Sequence, residues 1–331
     1  MVAAKLREMD EALVASLSRK LVEPGHDLPL RYQALWTLRN ASNAAATEAL
    51  VAALNAHELG NLFRHDVAFA LGQRQDATAV SALKRVLLNE QDHPMVRHEA
   101  GEALGAIGGD ECLSLVKRCA SDPQREVRET CELALQRLDF FAAHGGDGPS
   151  EAARDGGPDA DASAQESPYL SVDPTPALPA STPFPELAAL LADEEAPLFR
   201  RYRALFALRN RGGPQAAQAI GETLLASSSA LLKHEIAYVL GQMARKDSVD
   251  ALAASLGNAE EHAMVRHEAA EALGAVADDR CVGLLRKFAA DPEPIVADSC
   301  LVALDALGKE LAGEDYFAVE GAAQVAAASA H

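Results

Sequence analysis

Four segments of this sequence share one motif, in which a histidine is followed directly by a carboxylate residue and, six and seven positions after the histidine, by Leu-Gly. The segments are FRHDVAFALG at 63–72, MVRHEAGEALGA at 95–106, LKHEIAYVLG at 232–241 and MVRHEAAEALGA at 264–275. Imidazole together with carboxylate is a ligand set for iron, manganese or zinc, and two His plus one carboxylate leave coordination positions open for oxygen chemistry. Four such pairs predict a dinuclear metal centre, with one ion for each half of the chain or ions shared between the halves.

The regular spacing of the four pairs distinguishes them from an incidental dipeptide. The interval from His65 to His98 equals the interval from His234 to His267. His57 and Glu58 also form a His-Glu dipeptide, but the other half of the chain has no equivalent of it. An isolated dipeptide of this kind is usually a surface pair on a solvated helix. We therefore assign the chemistry to the four pairs in register.

Small residues recur beside each histidine when its segment is projected on a helix. The residue three positions later and the Gly seven positions later lie on the same face as the His. Glycine inside a helix costs about 1 kcal/mol relative to alanine, so its recurrence needs a compensating reason. We expect these small residues to leave an open space beside each histidine. They are Ala68 and Gly72, Gly101 and Gly105, Ala237 and Gly241, and Ala270 and Gly274.

The elements that must position these segments come from an internal duplication. RYQALWTLRN at 31–40 matches RYRALFALRN at 201–210, and from His65 onward the two halves align without a gap, at the shift that places His65 on His234. A step of about 33 residues between the motifs of one half is typical of helix-turn-helix repeats in solenoids. The sequence therefore predicts an all-α solenoid of two pseudo-symmetric halves, each with four helical hairpins. In the first half the predicted helices lie near 6–21, 28–40, 44–54, 60–73, 77–88, 94–108, 110–121 and 124–140.

The outer repeats and the connecting segments lack the histidine motif. At the position of the histidine, the first repeats have Tyr32 and Tyr202 and the last repeats have Glu129 and Asp298, so we expect the outer repeats to act as caps. The predicted divisions are an N-terminal half at 1–142, a flexible linker rich in Gly, Pro, Ala, Ser and Asp at 143–183, a C-terminal half at 184–311 and a weakly ordered tail at 312–331. Within the linker, PYLSVDP at 168–174 is predicted to be anchored.

Composition limits the partners and the compartment. The formal net charge of −19 argues against nucleic-acid binding, which requires clustered Lys and Arg, and favours a basic protein or a cationic small substrate. The five cysteines form no CxxC pair and are predicted to be buried thiols. No segment resembles a signal peptide or a membrane span. We therefore expect a cytoplasmic protein that binds no membrane.

The sequence resembles the deoxyhypusine hydroxylases, a family of HEAT-repeat di-iron monooxygenases. The resemblance rests on RYQALWTLRN and RYRALFALRN, on the paired RHEA segments, on KHEIAYVLGQM and on PYLSVDP. It implies a HEAT-repeat fold and two iron ions, with dioxygen and an external reductant as co-substrates. The implied reaction is hydroxylation of the deoxyhypusine side chain on the hypusine-bearing translation factor, which would be the protein partner.

The resemblance also implies ligands at matching positions. One iron would be held by His65, His98 and Glu99, and the other by His234, His267 and Glu268. No catalytic residue is implied beyond this metal centre.

The remaining carboxylates near the motifs carry more than one interpretation. Asp66 and Glu235 are less certain ligands, because the family also assigns these positions to the amines of the substrate. Asp66 departs from the usual Glu and is one methylene shorter. Glu102 and Glu271 recur four positions after a histidine, on the side predicted to face the cavity. They are candidates for substrate binding, and the alternative is a supporting hydrogen bond or an exposed charge.

Two functions from other classes stay open on the residues alone. A HEAT-repeat scaffold without catalytic activity would bind proteins through its concave surface. A dinuclear hydrolase would use the same ligands with zinc or manganese. His93 and His262 also correspond between the halves, and we expect them to have supporting or surface roles because no carboxylate follows either of them.

Overall fold

The computed structural model describes residues 6–143 and 167–314. These residues form sixteen α-helices, eight in each half. The first half contains α1 (Glu11–Val22), α2 (Leu28–Arg39), α3 (Ala44–Asn55), α4 (Asn61–Arg74), α5 (Val80–Leu88), α6 (Pro94–Ile107), α7 (Asp110–Cys119) and α8 (Arg125–Ala143). The second half contains α9 (Phe184–Ala192), α10 (Leu198–Arg211), α11 (Gly213–Ala226), α12 (Ala230–Met243), α13 (Val249–Gly257), α14 (Ala263–Val276), α15 (Asp279–Phe288) and α16 (Pro294–Ala312).

The helices agree with the sequence prediction in number and order, but the first one begins later than predicted. The prediction of a helix at 6–21 is wrong at its start, because the Asp10 carboxylate accepts hydrogen bonds from two backbone N–H groups of the first turn. This is the usual geometry of an N-cap, so the helix begins at Glu11. Arg7 instead lies extended in a bridge with Ala41.

The helices form two layers in each half. Even-numbered helices pack side by side in the inner layer, and odd-numbered helices cover them from outside. The motif-bearing helices α4 and α6 are the central members of the inner layer in the first half, and α12 and α14 hold the same place in the second. A solenoid of this kind is stabilised by contacts between neighbouring repeats.

The motif glycines serve these contacts between helices. A Cβ atom at Gly72 would lie 2.8 Å from Cα of Ala103, and one at Gly105 would lie 2.6 Å from Cβ of Ala134. Such distances are too short for nonbonded carbon atoms, so only glycine permits this packing. The equivalent glycines of the second half lie nearly as close to the next inner helix, and the small residues three positions after each His are buried as well. The expectation that these residues leave open space beside each histidine is therefore wrong.

Buried arginines fix each motif helix to its neighbours. Arg64 donates through Nε to the carbonyl of Leu54 at 2.8 Å and through both terminal nitrogens to Asp92 at 2.7 and 2.6 Å. Three motif helices carry such an arginine directly before the histidine, in the pairs Arg64–Asp92, Arg97–Asp122 and Arg266–Asp291. In the fourth, Lys233 pairs with Glu261 at 2.7 Å. These contacts anchor the helix turn that presents each histidine.

The last helix of each half closes the solenoid onto the other half. Helix α8 contacts α10 and α12, and helix α16 contacts α2 and α4. Leu133 of α8 is buried in the core of the second half, whereas Ile295 and Val302 of α16 are buried in the core of the first. The two halves therefore meet at both ends, and their inner layers face a common space.

Other sequence predictions concern the cysteines, the membrane and the weakly ordered segments. All five cysteines are buried and free, as predicted. Within 6–143 and 167–314, no helix has the length and apolarity needed to cross a bilayer. The predicted linker and tail fall largely outside the described residues, at 144–166 and 315–331.

Candidate metal centre

The four motif histidines meet where the inner layers face each other. Each occupies the fifth position of its helix, in α4, α6, α12 and α14. All four are buried, with exposed fractions between 0% and 8%. The duplication thus brings side chains that are far apart in sequence to a single buried cluster. Its members are His65, His98, His234 and His267.

The imidazole rings form two triangles that share one edge. The shared edge joins His65 and His234, with ring centroids 5.6 Å apart. His98 lies 5.4 Å from His65 and 5.6 Å from His234. His267 lies 5.3 Å from each of the same two rings. The four rings therefore form one compact cluster to which each half contributes two histidines.

At least one nitrogen of each ring in this cluster lacks a hydrogen-bond partner among the described residues. In the part of the chain that the structure describes, Nε2 of all four histidines is buried without one, and so is Nδ1 of His98. A buried polar atom without a partner costs about 1–3 kcal/mol, and such atoms are rare in folded proteins. Four of them in one buried cluster fit bound metal, because a neutral imidazole nitrogen is a common metal ligand.

Glu99 and Glu268 complete the cluster in the same way in both halves. Oε2 of Glu99 lies 3.3 Å from Nε2 of His65, and Oε2 of Glu268 lies 3.3 Å from Nε2 of His234. The carboxylate of the later motif thus faces the histidine of the earlier motif, and both carboxylates are buried. All six predicted ligands are therefore brought together.

The ligand atoms form two compact groups. Atoms of His65, His98 and Glu99 lie within 4.8 Å of one another, and these residues are the members of the first predicted ligand set. The second compact group joins His65 to His234 and His267, and Glu268 lies outside it. His65 belongs to both groups.

Asp66 and Glu235 occupy equivalent positions but make different contacts. Oδ1 of Asp66 accepts from Nδ1 of His65 at 2.7 Å, and its other oxygen accepts from the hydroxyl of Tyr32. A carboxylate on the far nitrogen of a metal-ligating histidine orients the ring and raises its basicity. Tyr202, the equivalent of Tyr32, donates instead to the carbonyl of Leu231 at 3.1 Å. The binding of Asp66 and Glu235 to metal or to substrate stays a prediction, and these contacts favour an orienting role for Asp66.

Glu102 and Glu271 also differ between the halves. Oε1 of Glu271 lies 3.5 Å from Nδ1 of His267 and accepts from the Ser299 hydroxyl at 3.0 Å. Glu102 lines a cavity together with Arg137 and with Asp173 of the linker. Glu271 is therefore close enough to support a ligand, whereas Glu102 faces a cavity that none of the four histidines lines.

Electrostatic crowding perturbs the acidic groups around the histidines. Burial, followed by repulsion from neighbouring carboxylates, raises the pKa of Glu102, Glu235 and Glu271 well above its usual value. Nearby carboxylates reinforce this effect because like charges disfavour ionisation. A metal ion or an ammonium group placed here would lower these pKa values again, because a cation stabilises the ionised carboxylates.

The imidazoles respond to the same surroundings in two ways. Burial and the neighbouring histidines lower the pKa of His98 and of His267 well below the usual value, so both rings are neutral. Burial also lowers the pKa of His65, but its hydrogen bond to Asp66 and the nearby carboxylates of Asp66 and Glu99 outweigh burial and raise that pKa. A neutral imidazole has a free lone pair for a metal, whereas a ring held by carboxylates attracts a cation in place of a proton.

Sequence reasoning missed several residues that hold the site in place. They are the buried arginines before the histidines, the Tyr32 contact and the Ser299 hydroxyl. His93 and His262, for which the sequence predicted supporting or surface roles, are helix N-caps whose Nδ1 atoms accept from the backbone N–H of Met95 and Met264 at 3.3 and 3.2 Å. The Arg-His order at 64–65, 97–98 and 266–267 is a visible signal that could have found the arginines.

Comparisons with known proteins extend over most of the chain. Residues 60–136 match the HEAT repeats family, and residues 265–291 match the PBS lyase HEAT-like repeat. The chain is 46% identical over 296 residues to deoxyhypusine hydroxylase of Bos taurus, covering 89% of this chain and 91% of that protein. It is 47% identical over 303 residues to deoxyhypusine hydroxylase-B of Oryza sativa subsp. japonica, covering 91% and 94%.

A solved structure of a deoxyhypusine hydroxylase is also similar to this chain. The structure of human deoxyhypusine hydroxylase in complex with glycerol superimposes with a TM-score of 0.81 at 44% sequence identity, covering 90% of this chain and 96% of that chain. The predicted all-α HEAT-repeat solenoid and the family resemblance are both confirmed.

Proposed function

The chain belongs to the deoxyhypusine hydroxylase family, and we propose that it carries out its reaction on two iron ions held by the four-histidine cluster. The protein is an enzyme that hydroxylates deoxyhypusine. Neither a scaffold without activity nor a hydrolase accounts for this relationship. The iron ions, the ligand assignment and the protein partner are parts of the proposal.

One observation carries the proposal: the four clustered histidines each bury an Nε2 atom without a hydrogen-bond partner among the described residues. Such a cluster is costly unless a cation fills it. Imidazole with carboxylate is the ligand set of non-haem iron centres that leave positions open for dioxygen. We assign His65, His98 and Glu99 to one iron and His234, His267 and Glu268 to the other. Iron supplies the one-electron chemistry that dioxygen requires.

The protein's own residues orient the ligands and keep water away. Asp66 fixes the ring of His65, and Glu271 with Ser299 supports the ring of His267. Burial of the cluster excludes bulk water, which strengthens the electrostatic interactions inside it. These features preorganise the site for one substrate position.

Acidic side chains near the cluster would attract a cationic substrate. The deoxyhypusine side chain carries two amines that are cationic near neutral pH. Glu235 and Glu102 lie close enough for the charge of Glu102 to help raise the pKa of Glu235. We infer that they attract the ammonium groups and hold a carbon of the side chain near the irons. The hypusine-bearing translation factor in its deoxyhypusine form is the proposed partner.

The chemical balance requires an external reductant. One oxygen atom of dioxygen enters a C–H bond of the substrate, and the other leaves as water after two electrons and two protons are added. No described residue is placed as the electron source, so we propose that a separate donor supplies the electrons.

A single-turnover experiment tests the proposal. Protein prepared without a metal-affinity tag and reconstituted anaerobically with ferrous iron should bind about two iron ions per chain, because two ligand sets are present. After addition of the deoxyhypusine form of the factor and dioxygen, mass spectrometry should show one added oxygen on the factor. Turnover with zinc or manganese but not with iron would overturn the assignment of the metal.

A further inference from the structure

Helices α4 and α12 face each other across the pseudo-symmetry axis at positions one helical turn apart. The first facing pair is His65 and His234, and the second is Phe69 and Tyr238, whose rings also lie 5.6 Å apart in an edge-on arrangement. One turn further, Gln73 and Gln242 occupy equivalent positions. The separation of these two helices therefore fixes the distance between the halves of the metal centre.

The third pair does not meet directly, because a piece of the linker lies between the two glutamines. The Gln73 amide donates to the carbonyl of Val172 at 3.1 Å and accepts from its N–H at 2.8 Å. The Gln242 amide donates to the hydroxyl of Ser171 at 3.0 Å. Adjacent linker residues are thus held by equivalent side chains from opposite halves.

The next residue of the linker ties two further helices together. The Asp173 carboxylate accepts from both terminal nitrogens of Arg209, at 2.9 and 2.6 Å, and Arg209 of α10 is fully buried. The backbone carbonyl of Asp173 accepts from Arg137 of α8 at 2.6 Å. A bidentate pair between arginine and carboxylate is among the stronger polar contacts in proteins. Residues 171–173, here called the strap, are therefore fastened to both halves.

We propose that the strap is a positioning element that sets the separation of α4 and α12, and with it the separation of the two metal positions. Gln73 and Gln242 each lie two helical turns beyond a ligand histidine, which is about 12 Å along a helix. A helix transmits a displacement over that length with little bending, so loosening the strap would change the distance between His65 and His234. The inference deepens the proposed function and rests on it where the metals are concerned.

A distance measurement on the metal-free protein tests the strap directly. Spin labels are attached through Ser81→Cys on α5 and Asp250→Cys on α13, which are exposed and equivalent positions in the two halves, while all five native cysteines are buried. Pulsed electron paramagnetic resonance measures the distribution of distances between the two labels. In the Gln73→Ala/Gln242→Ala double variant, this distribution should be broader and its mean longer than in the parent protein.

A matched control removes a contact of the linker away from the strap. Arg211 donates to the carbonyls of Ala180 and Thr182, so Arg211→Ala loosens the same linker without touching residues 171–173. This control should keep the parent distribution. A double variant with the parent distribution would overturn the proposal. If the double variant fails to fold, Asp173→Asn replaces it, since this change keeps the side-chain size. A folded Asp173→Asn variant with the parent distance between the labels would also overturn the proposal.

Magnetic coupling between the two irons provides the second measurement. In the iron-loaded double variant, each ligand set should still bind its ion, but the exchange coupling should weaken because the ions are no longer held at one distance. Unchanged coupling would contradict the proposal. If the parent protein binds no iron, the proposed function fails, whereas the distance measurement still decides the role of the strap.

Discussion

The two halves of the molecule present the same predicted ligands but support them differently. His65 and His234 occupy the same helical position, and the carboxylates of Glu99 and Glu268 approach them at the same 3.3 Å. Behind these side chains, Asp66 is hydrogen-bonded to the first histidine, while no such bond joins Glu235 to the second among the described contacts. The duplication has therefore kept the residues of the cluster and changed those that hold them.

The difference at Asp66 follows from side-chain length and a tyrosine. Asp66 has one methylene fewer than Glu235, so its carboxylate stays beside its own helix, where the Tyr32 hydroxyl and the His65 ring reach it. Tyr202 donates to the Leu231 carbonyl instead. This comparison supports an orienting role for Asp66, and the binding of substrate by Glu235 stays a prediction.

The largest effect should come from the histidine that the two compact groups share. His65→Ala should remove more iron than His98→Ala, because only His65 belongs to both groups of ligand atoms. Loss of a ligand should weaken binding more than the roughly 10–100-fold that loss of a supporting residue costs. Iron per chain, measured after gel filtration, should fall to less than half in His65→Ala and by about half in His98→Ala. Equal losses in the two variants would contradict a shared role for His65.

The second prediction compares substitutions at Asp66 and Glu235. Asp66→Asn removes the charge behind the His65 ring, so iron affinity should fall by about 10-fold. Glu235→Gln should leave iron affinity within about twofold and raise KM for the protein substrate, because it removes a charge that attracts ammonium groups. Metal titration and steady-state kinetics of both variants separate these effects. The opposite pattern, with Glu235→Gln losing the iron, would assign Glu235 to the metal.

The fold and the candidate ligands could be predicted from the sequence because they repeat. The equal motif intervals within the halves and the constant shift between the halves fix which residues are equivalent, and a buried helix that is repeated must pack against its neighbours in the same way. Repetition also explains why His57 and Glu58 could be set aside. The start of α1 was misjudged because a single Asp10 side chain decides it.

The supporting contacts could not be predicted because they depend on packing between repeats. A glycine two helical turns after a histidine fits a cavity and a close helix contact equally well in a helical projection, and only the position of Ala103 against Gly72 separates the two. In the same way, Ser299 lies on α16, one repeat beyond the helix that carries His267. Such partners cannot be identified from the sequence alone, because the distances between side chains of neighbouring repeats are needed.

The third prediction tests the anchors of the motif helices through stability. Arg64 is buried and makes two bonds to Asp92, whereas Lys233 makes one contact to Glu261. Arg64→Lys should lower the free energy of unfolding by about 2 kcal/mol, because lysine cannot form the bidentate pair. Lys233→Arg should change it by less than about 0.5 kcal/mol. Urea unfolding measures both values, and equal costs would contradict the proposed difference between the halves.

The Arg64 effect should also depend on pH. Burial raises the pKa of Asp92, but its hydrogen bonds to Arg64 outweigh burial and hold that pKa below the usual value. A lowered pKa contributes stability that is complete above the unfolded pKa of about 3.9 and is lost as the pH falls through the folded pKa. The difference between wild type and Arg64→Lys should therefore be constant near neutral pH and shrink below about pH 4.

The smallest effect concerns two equivalent hydroxyl residues beside the later histidines. Ser299 donates to Glu271 and lies 3.5 Å from Nδ1 of His267, whereas the equivalent Thr130 hydroxyl is buried without a partner among the described residues. Ser299→Ala should lower iron affinity several-fold, because the support of the ring is weakened. Thr130→Val keeps the shape and removes an unpaired hydroxyl, so it should raise the unfolding free energy by up to about 1 kcal/mol.

Matched measurements on these two variants decide whether the halves are supported differently. Iron titration of Thr130→Val should give the wild-type affinity, since among the described residues no hydrogen bond joins its hydroxyl to His98. If Thr130→Val instead loses iron to the same extent as Ser299→Ala, the threonine hydroxyl supports His98 once metal is bound, and the two later histidines are held in the same way. The asymmetry between the halves would then no longer include the later histidines. It would still include Asp66 and Arg64, which stand at the positions of Glu235 and Lys233.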